Sequence, residues 1–325
     1  MATYTIVKLR NLTPLHIGTG KENYDFSADD LQSDTISAAL AAIRAQRGKS
    51  NDIESFLNSF TISSAFPYSA HHYFLPKIQG RINVEVEGTS KEAKRKELKK
   101  LKYIEIPLWE RINANEQITV PENQLQHNYL LNSVAEFFQP AKSKVMQRVT
   151  IPRGDGQDAE PFYFDWTYFN KEGGLYFFVD AKQQVIEEIV ELTKLLGEAG
   201  LGTDRNVGGG KFEVETETIE IRDNPGSNAT MLLSLYVPTK EEIEKINLTN
   251  SRYQMVLRGG YMAGSTEENF RHLRKRSIYM FNVGSVFPTN TTLEGKVVDL
   301  TPDWNDTRMH PVYRSGKPFY LPVII

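Results

Sequence analysis

The 325-residue chain contains no cysteine, which excludes disulfides, thiolate nucleophiles and thiolate metal ligands. Its six histidines fall at no metal-ligand spacing. His71 and His72 are adjacent and read as opposite faces of a strand, while His16, His127, His272 and His310 are scattered. No apolar run approaches the roughly 20 residues that cross a bilayer, and residues 1–10 alternate like a strand instead of forming a hydrophobic signal core. The reading is a cytoplasmic protein with no membrane segment, no metal and no cofactor. A large charge excess is missing too. The formal net charge of -3 argues against a surface that coats nucleic acid all round, yet leaves room for one basic groove on an acidic body.

What is present is an ordinary globular composition, 40% apolar and 24% charged. At this length single cores stop growing, so two domains are expected. Residues 3–10 read as a strand, with Tyr4, Ile6 and Lys8 on one face and Thr5, Val7 and Leu9 on the other. Ser33 or Asp34 then caps a helix whose Ile36, Ala39, Leu40 and Ile43 share one side. Residues 60–66 and 72–75 are strand-like. Residues 91–102 carry seven Lys or Arg against Glu92 and Glu97, which suits a solvent-facing insert.

Residues 145–151 and 162–169 alternate as two strands joined by the turn signal Gly154, Asp155 and Gly156, and so predict a long hairpin. After a strand at 175–179, Val185, Ile189, Leu192 and Leu196 mark an amphipathic helix that Gly197 and Gly200 close. Phe212, Val214 and Thr216 alternate with Glu213, Glu215 and Glu217 as an edge strand. Residues 223–228 fit neither periodicity and divide the chain into 1–224 and 225–325. The second part opens with a strand at 231–237, a capping-box pair in Thr239 and Glu242, and a strand at 253–262. Strand, helix, strand in both parts predicts an α+β protein of two ferredoxin-like (RRM-like) domains, with a β-hairpin thumb inserted at about 85–160 and a glycine-rich loop.

That loop is the most informative segment, since six of the 14 residues from 197 to 210 are glycine. It is not a Walker loop, because Arg205 stands where the first glycine belongs and Phe212 follows Lys211. Nor is it a dinucleotide loop, since Arg205 takes the third glycine's place and the cluster ends a helix. The remaining readings are a flexible helix-to-strand connection, or a loop whose bare backbone approaches phosphates while Arg205, Asn206 and Lys211 bond their oxygens. Cationic clusters at 91–102, 142–153 and 271–276 could line one groove. The last two stand beside aromatics on which bases can stack. His16 could be a general acid or base, and Asp29 or Asp30 could activate a nucleophile or hold a metal. The plainer readings are a packing histidine and an acidic loop.

Several segments resemble the RAMP proteins of CRISPR effector complexes. They are Leu15, His16, Ile17 and Gly18, residues 33–40, residues 196–212, and the ending His310, Pro311, Val312, Tyr313, Arg314, Ser315, Gly316, Lys317, Pro318, Phe319. The likeness runs from end to end and is strongest to the family that forms the fourth subunit of the Csm (type III-A) complex. The resemblance implies a non-catalytic subunit that holds the repeat-derived 5′ tag of the crRNA and docks the large polymerase-like subunit beside backbone RAMP subunits. It implies tag contacts at Gly202, Arg205, Gly208, Gly209, Gly210 and Lys211, with His16 and Gly18 near the same groove and Arg148 and Arg153 on the thumb. In the second domain only charge points to RNA contacts, at Arg274, Lys275, Arg276 and Ser285. Two other classes stay open. One is a RAMP endoribonuclease that uses His16 on precursor crRNA, or Asp29 or Asp30 on target RNA; the other is an adaptor with no RNA contact.

Overall fold

The computed structural model describes residues 1–18, 24–87, 91–133, 137, 139–151, 158–262, 264–288 and 292–325, and only the backbone of 91–95. The first strand, Ala2–Arg10, pairs antiparallel with Gly173–Ala181 on one side and Glu213–Ile221 on the other. Gly173–Ala181 in turn pairs with Phe60–Ile62 and Phe66–Ser69. The order is therefore 213–221, 2–10, 173–181, 60–69, antiparallel throughout. Two helices, Ser33–Gln46 and Gln183–Ala199, pack together on one face.

The alternation of the first strand sets this arrangement. Val7 and Leu9 join Ile36, Leu40, Ile189, Leu192 and Leu196 beneath the helices. Ile6 points the other way, into a core shared with Phe66, Leu75, Met231 and Val323. That second core draws on both halves of the chain. Lys8 lies on the Ile6 face and is buried, its ammonium 2.9 Å from Glu217 and over the rings of Tyr68 and Tyr73.

In the second half Ala229–Leu232 pairs with Tyr320–Val323 and with Val286–Phe287, and Tyr236 bridges to Phe281 further along. Met255–Arg258 pairs with Ile278–Phe281 at the outer edge. The strand order 320–323, 229–237, 278–287, 252–258 repeats that of the first half. One short helix, Lys240–Lys245, follows the opening strand and carries the expected Thr239–Glu242 capping box. Where the first half has its second helix, the described residues form a small ladder of Val297–Asp299 with Tyr313–Ser315.

Three expectations change. The first helix starts at Ser33 with Gln32 at its cap, because Ser33 and Asp34 serve distant partners: the Ser33 hydroxyl accepts from the Leu235 N–H at 3.0 Å, and Asp34 meets two arginines. The protruding hairpin is Ala141–Thr150 against Glu160–Phe169, narrower than the thumb expected at 85–160. Residues 84–131 instead contribute Tyr103–Glu105, Leu125–Gln126 and Tyr129–Leu130 to the main sheet, which reaches nine strands among the described residues. Leu108, Trp109 and Ile112 of the helix Ile106–Asn113 bury against that extension. The basic run folds as the helix Lys91–Lys100. Finally, His71 sits in a turn and its ring lies 4.1 Å from that of His72, rather than across a strand from it. No helix among the described residues is long and apolar enough to cross a membrane.

Candidate nucleic-acid interface

The long helix ends at Gly200, whose φ of 83° turns the chain back on itself. The loop that follows is tied down, not slack. Leu201 N–H donates to Gly210 O at 2.9 Å, Thr203 N–H to His16 O at 3.0 Å and Gly210 N–H to Pro14 O at 2.9 Å, while Lys211 N–H reaches Thr13 Oγ1 at 2.8 Å. Its glycines are required by these close approaches. A Cβ would stand 2.2 Å from the His16 carbonyl oxygen at Gly202, 1.9 Å from the Leu201 carbonyl oxygen at Gly210 and 2.6 Å from the Trp166 ring at Gly209. Only Gly208, at φ 88°, faces open space. Most of the glycine density therefore serves the protein's own packing, where the sequence suggested room for phosphates.

What the loop does leave available is backbone and charge. The N–H groups of Gly202, Asp204, Arg205 and Asn206 find no acceptor among the described residues. The side chains of Arg205, Asn206 and Lys211 are exposed, and neither cation meets an acid there. Asp204 adopts a left-handed φ of 55°, and its carboxylate pairs with Arg148 of the hairpin.

The hairpin has two unlike faces. Its register places Lys142, Lys144, Met146 and Arg148 opposite Tyr168, Trp166, Phe164 and Phe162, so cations and aromatics share one side. Val145, Gln147, Val149 and Tyr163 project from the other side, where the charged residue of the paired strands, Asp165, is buried. The cationic, aromatic face lies over the glycine loop. There Met146, Arg148, Trp166, Tyr168, Val207 and Gly208 line a cleft of about 300 Å³. The Arg148 guanidinium stacks 5.2 Å from Phe164, and Lys142 and Lys144 have no ion pair among the described residues. Arg153 lies outside the described residues.

His16 holds this junction together from beneath. It is 1% exposed, its Nδ1–H donates to the Asp165 carbonyl at 2.8 Å, and its ring packs 4.5 Å from Phe164. Leu15 pairs with Thr167 of the hairpin, and Gly18 lies against Thr203. His16 is thus a positioning residue and not a surface contact. Tyr24 is exposed and stacks on Phe164 at 5.9 Å, extending the aromatic side. Neither Tyr24 nor Lys142 and Lys144 stood out as individual contacts in the sequence. The alternation of cations at 142, 144 and 148 against aromatics at 162, 164, 166 and 168 was the signal that could have found them.

The second-half candidates stand apart and none lines this cleft. Arg274 stacks 5.0 Å over Tyr261 and donates to its hydroxyl at 3.0 Å, and Arg276 bonds Asp303 at 3.4 Å. Ser285 is fully buried beneath the Gln254 N–H, which removes it from any surface contact. Asp29 pairs with Lys102 and Asp30 with the Tyr103 hydroxyl. His72 is 2.8 Å from Glu105.

Comparison with known proteins gives matches over both halves. Residues 8–213 match the RAMP superfamily, and residues 226–323 match the CRISPR Csm4 C-terminal domain. The chain is 26% identical over 269 residues to the CRISPR system Cms protein Csm4 of Thermococcus onnurineus (strain NA1), covering 81% of this chain and 84% of that one. It is 32% identical over 168 residues to the Csm4 protein of Mycobacterium tuberculosis (strain ATCC 25618 / H37Rv), covering 51% and 52%. Among solved structures, a chain of a Csm1-Csm4 cassette in complex with cA4 superposes with a TM-score of 0.65 at 21% identity, covering 100% of this chain and 99% of that one. A chain of a Csm3-Csm4 subcomplex of the type III-A CRISPR-Cas interference complex gives 0.62 at 18%, covering 99% and 100%.

Proposed function

The chain belongs to the RAMP superfamily, and from that membership together with its C-terminal match we propose that it is a Csm4-type, non-catalytic subunit that grips the repeat-derived 5′ tag of the crRNA. In this reading the two halves are two ferredoxin-like domains, supported by the strand order they share, and the hairpin at 141–169 is the thumb. The subunit docks a large polymerase-like subunit and a backbone RAMP subunit, as its relatives are found with Csm1 and with Csm3.

One observation carries the RNA reading. The cationic, aromatic face of the thumb meets the glycine loop at a cleft, and the same loop carries backbone donors and the exposed cations Arg205 and Lys211 that have no partner among the described residues. Phosphate oxygens accept from N–H groups, Arg205 and Lys211, and an unstacked base can lie on Tyr168 or Tyr24. The geometry offers little to a nuclease. His16 is buried with one ring nitrogen committed, and Asp29 and Asp30 are each held by a partner.

The test is the complex assembled with Arg205→Ala and Lys211→Ala together. Removing two phosphate contacts from a single strand flattens the slope of log affinity against log salt by about 1.4 and weakens tag-dependent RNA retention. Wild-type affinity with an unchanged slope would overturn the assignment of the loop.

A further inference from the structure

A second group of cations gathers where the two halves meet. Asp34, wholly buried, accepts from Arg258 Nε at 2.8 Å and Arg258 Nη2 at 2.9 Å, and also pairs with Arg314. Arg314 belongs to the C-terminal motif that no part of the tag-binding cleft uses, and it donates as well to the Gly259 carbonyl at 2.9 Å. Lys275 is joined to the same turn, its backbone N–H bonding Gly260 O at 2.9 Å. The Lys275 ammonium makes no ion pair and no hydrogen bond among the described residues.

The charges in this seam do not balance. Arg258, Arg314 and Lys275 against Asp34 make three positive charges to one negative, leaving two uncompensated. Burial acts on all three cations. Burial lowers the pKa of Arg258 and takes that of Arg314 to about 10, and burial together with the charge of Arg258 lowers that of Lys275. Buried charge is costly unless something pairs with it. The turn that Lys275 bonds is open on one side. Gly260 has a φ of +104°, and apart from the adjoining residues no described atom lies within 4 Å of where its Cβ would be. Arg274, stacked on Tyr261 and free of any acid among the described residues, stands on the strand partner of that turn.

We propose that this seam is a phosphate-binding site, in which Arg258 and Lys275 receive an anionic phosphate group above the turn at Gly259 and Gly260 while Asp34 and the Thr35 hydroxyl hold Arg258 in place. The chemistry is that of a phosphate monoester or diester, whether it belongs to bound RNA or to a free nucleotide. Only the choice of RNA as source rests on the function proposed above. Because Asp34 comes from the first half and the cations from the second, an occupied site ties the halves together.

The site is tested on the full chain by thermal melting in inorganic phosphate against chloride at matched ionic strength. Wild type should show a saturable rise in Tm with phosphate. Lys275→Met should melt higher than wild type without phosphate, since a half-buried charge that Arg258 repels is gone, and should need at least tenfold more phosphate for the same rise. Lys275→Arg, which keeps the charge, should keep most of the response and guards against a folding defect in the first variant. No phosphate-specific rise in wild type, or an unaltered response in Lys275→Met, would overturn the site. Repeating the titration with guide RNA bound separates the sources. A response that disappears assigns the site to the RNA backbone, and one that persists assigns it to a free phosphate compound. The outcome is independent of the glycine-loop test, which reads tag-dependent RNA affinity with Arg205 and Lys211 replaced.

Discussion

In the first half of the chain Lys142, Lys144, Arg205 and Lys211 around the glycine loop are exposed and have no acidic partner among the described residues, whereas in the second half Arg258 and Arg314 turn inward onto a carboxylate that the first half supplies. The two halves nevertheless share one strand order. Topology therefore does not decide where the cleft proposed for RNA lies. What separates the halves is the loop after the long helix, which leaves four N–H groups without an acceptor among the described residues, and the hairpin that adds lysines with no ion pair there. Among the described residues the second half has neither, and its Arg258 and Arg314 pair with Asp34 of the first half.

The strongest way to break this contrast is at Asp34. Replacing it with alanine leaves Arg258 and Arg314 buried without their carboxylate, and removing one partner of a buried pair costs about 3–5 kcal/mol. The denaturant midpoint of Asp34→Ala should fall accordingly. A loss under about 1 kcal/mol would mean that the inward arginines do not join the halves.

Next in size is a pair of glycine substitutions that separates packing from ligand approach. Gly210→Ala places a Cβ 1.9 Å from a backbone oxygen at φ 67°, so it should cost more than about 2 kcal/mol and loosen the loop. Gly208→Ala meets no atom and carries only the left-handed penalty of about 1 kcal/mol. Melting curves compare the two directly. Equal losses would contradict the claim that the loop's glycines are there mainly for its own folding.

The sequence conveyed the elements whose cause is local. The two faces of the first strand, the helix built on Val185, Ile189, Leu192 and Leu196, the Thr239–Glu242 capping box and the hairpin could all be read from spacing and turn chemistry. The misreadings share another origin, contacts between residues far apart in the chain. Ser33 looked like a helix cap because nothing local shows Leu235 waiting for its hydroxyl. His16 and Ser285 looked available, and long-range packing buries both. The glycine loop was found by composition, but its reason lay in His16, Pro14 and Trp166, which only the fold brings against it.

The smallest expected effect sharpens the comparison from the first half, where Lys8 is a buried cation with a local solution. Burial alone would raise the Glu217 pKa, but hydrogen bonds from the Tyr73 hydroxyl at 2.6 Å and the Lys8 ammonium at 2.9 Å outweigh it and hold the carboxyl below its ordinary value. A carboxyl with a depressed folded-state pKa stabilises above its unfolded value, about 4.3, and that contribution is lost as pH falls through the folded value. Glu217→Gln should therefore cost less than about 1 kcal/mol at neutral pH, because its side chain is 36% exposed and solvent screens the pair. The gap to wild type should close on acidification below about pH 4. Lys8 and Glu217 lie on adjacent strands of one sheet, while Asp34 and its arginines cross between halves, so Glu217→Gln should leave any phosphate response of the seam intact. A gap that stayed constant from neutral to acid pH would show that Glu217 acts through packing and not through charge.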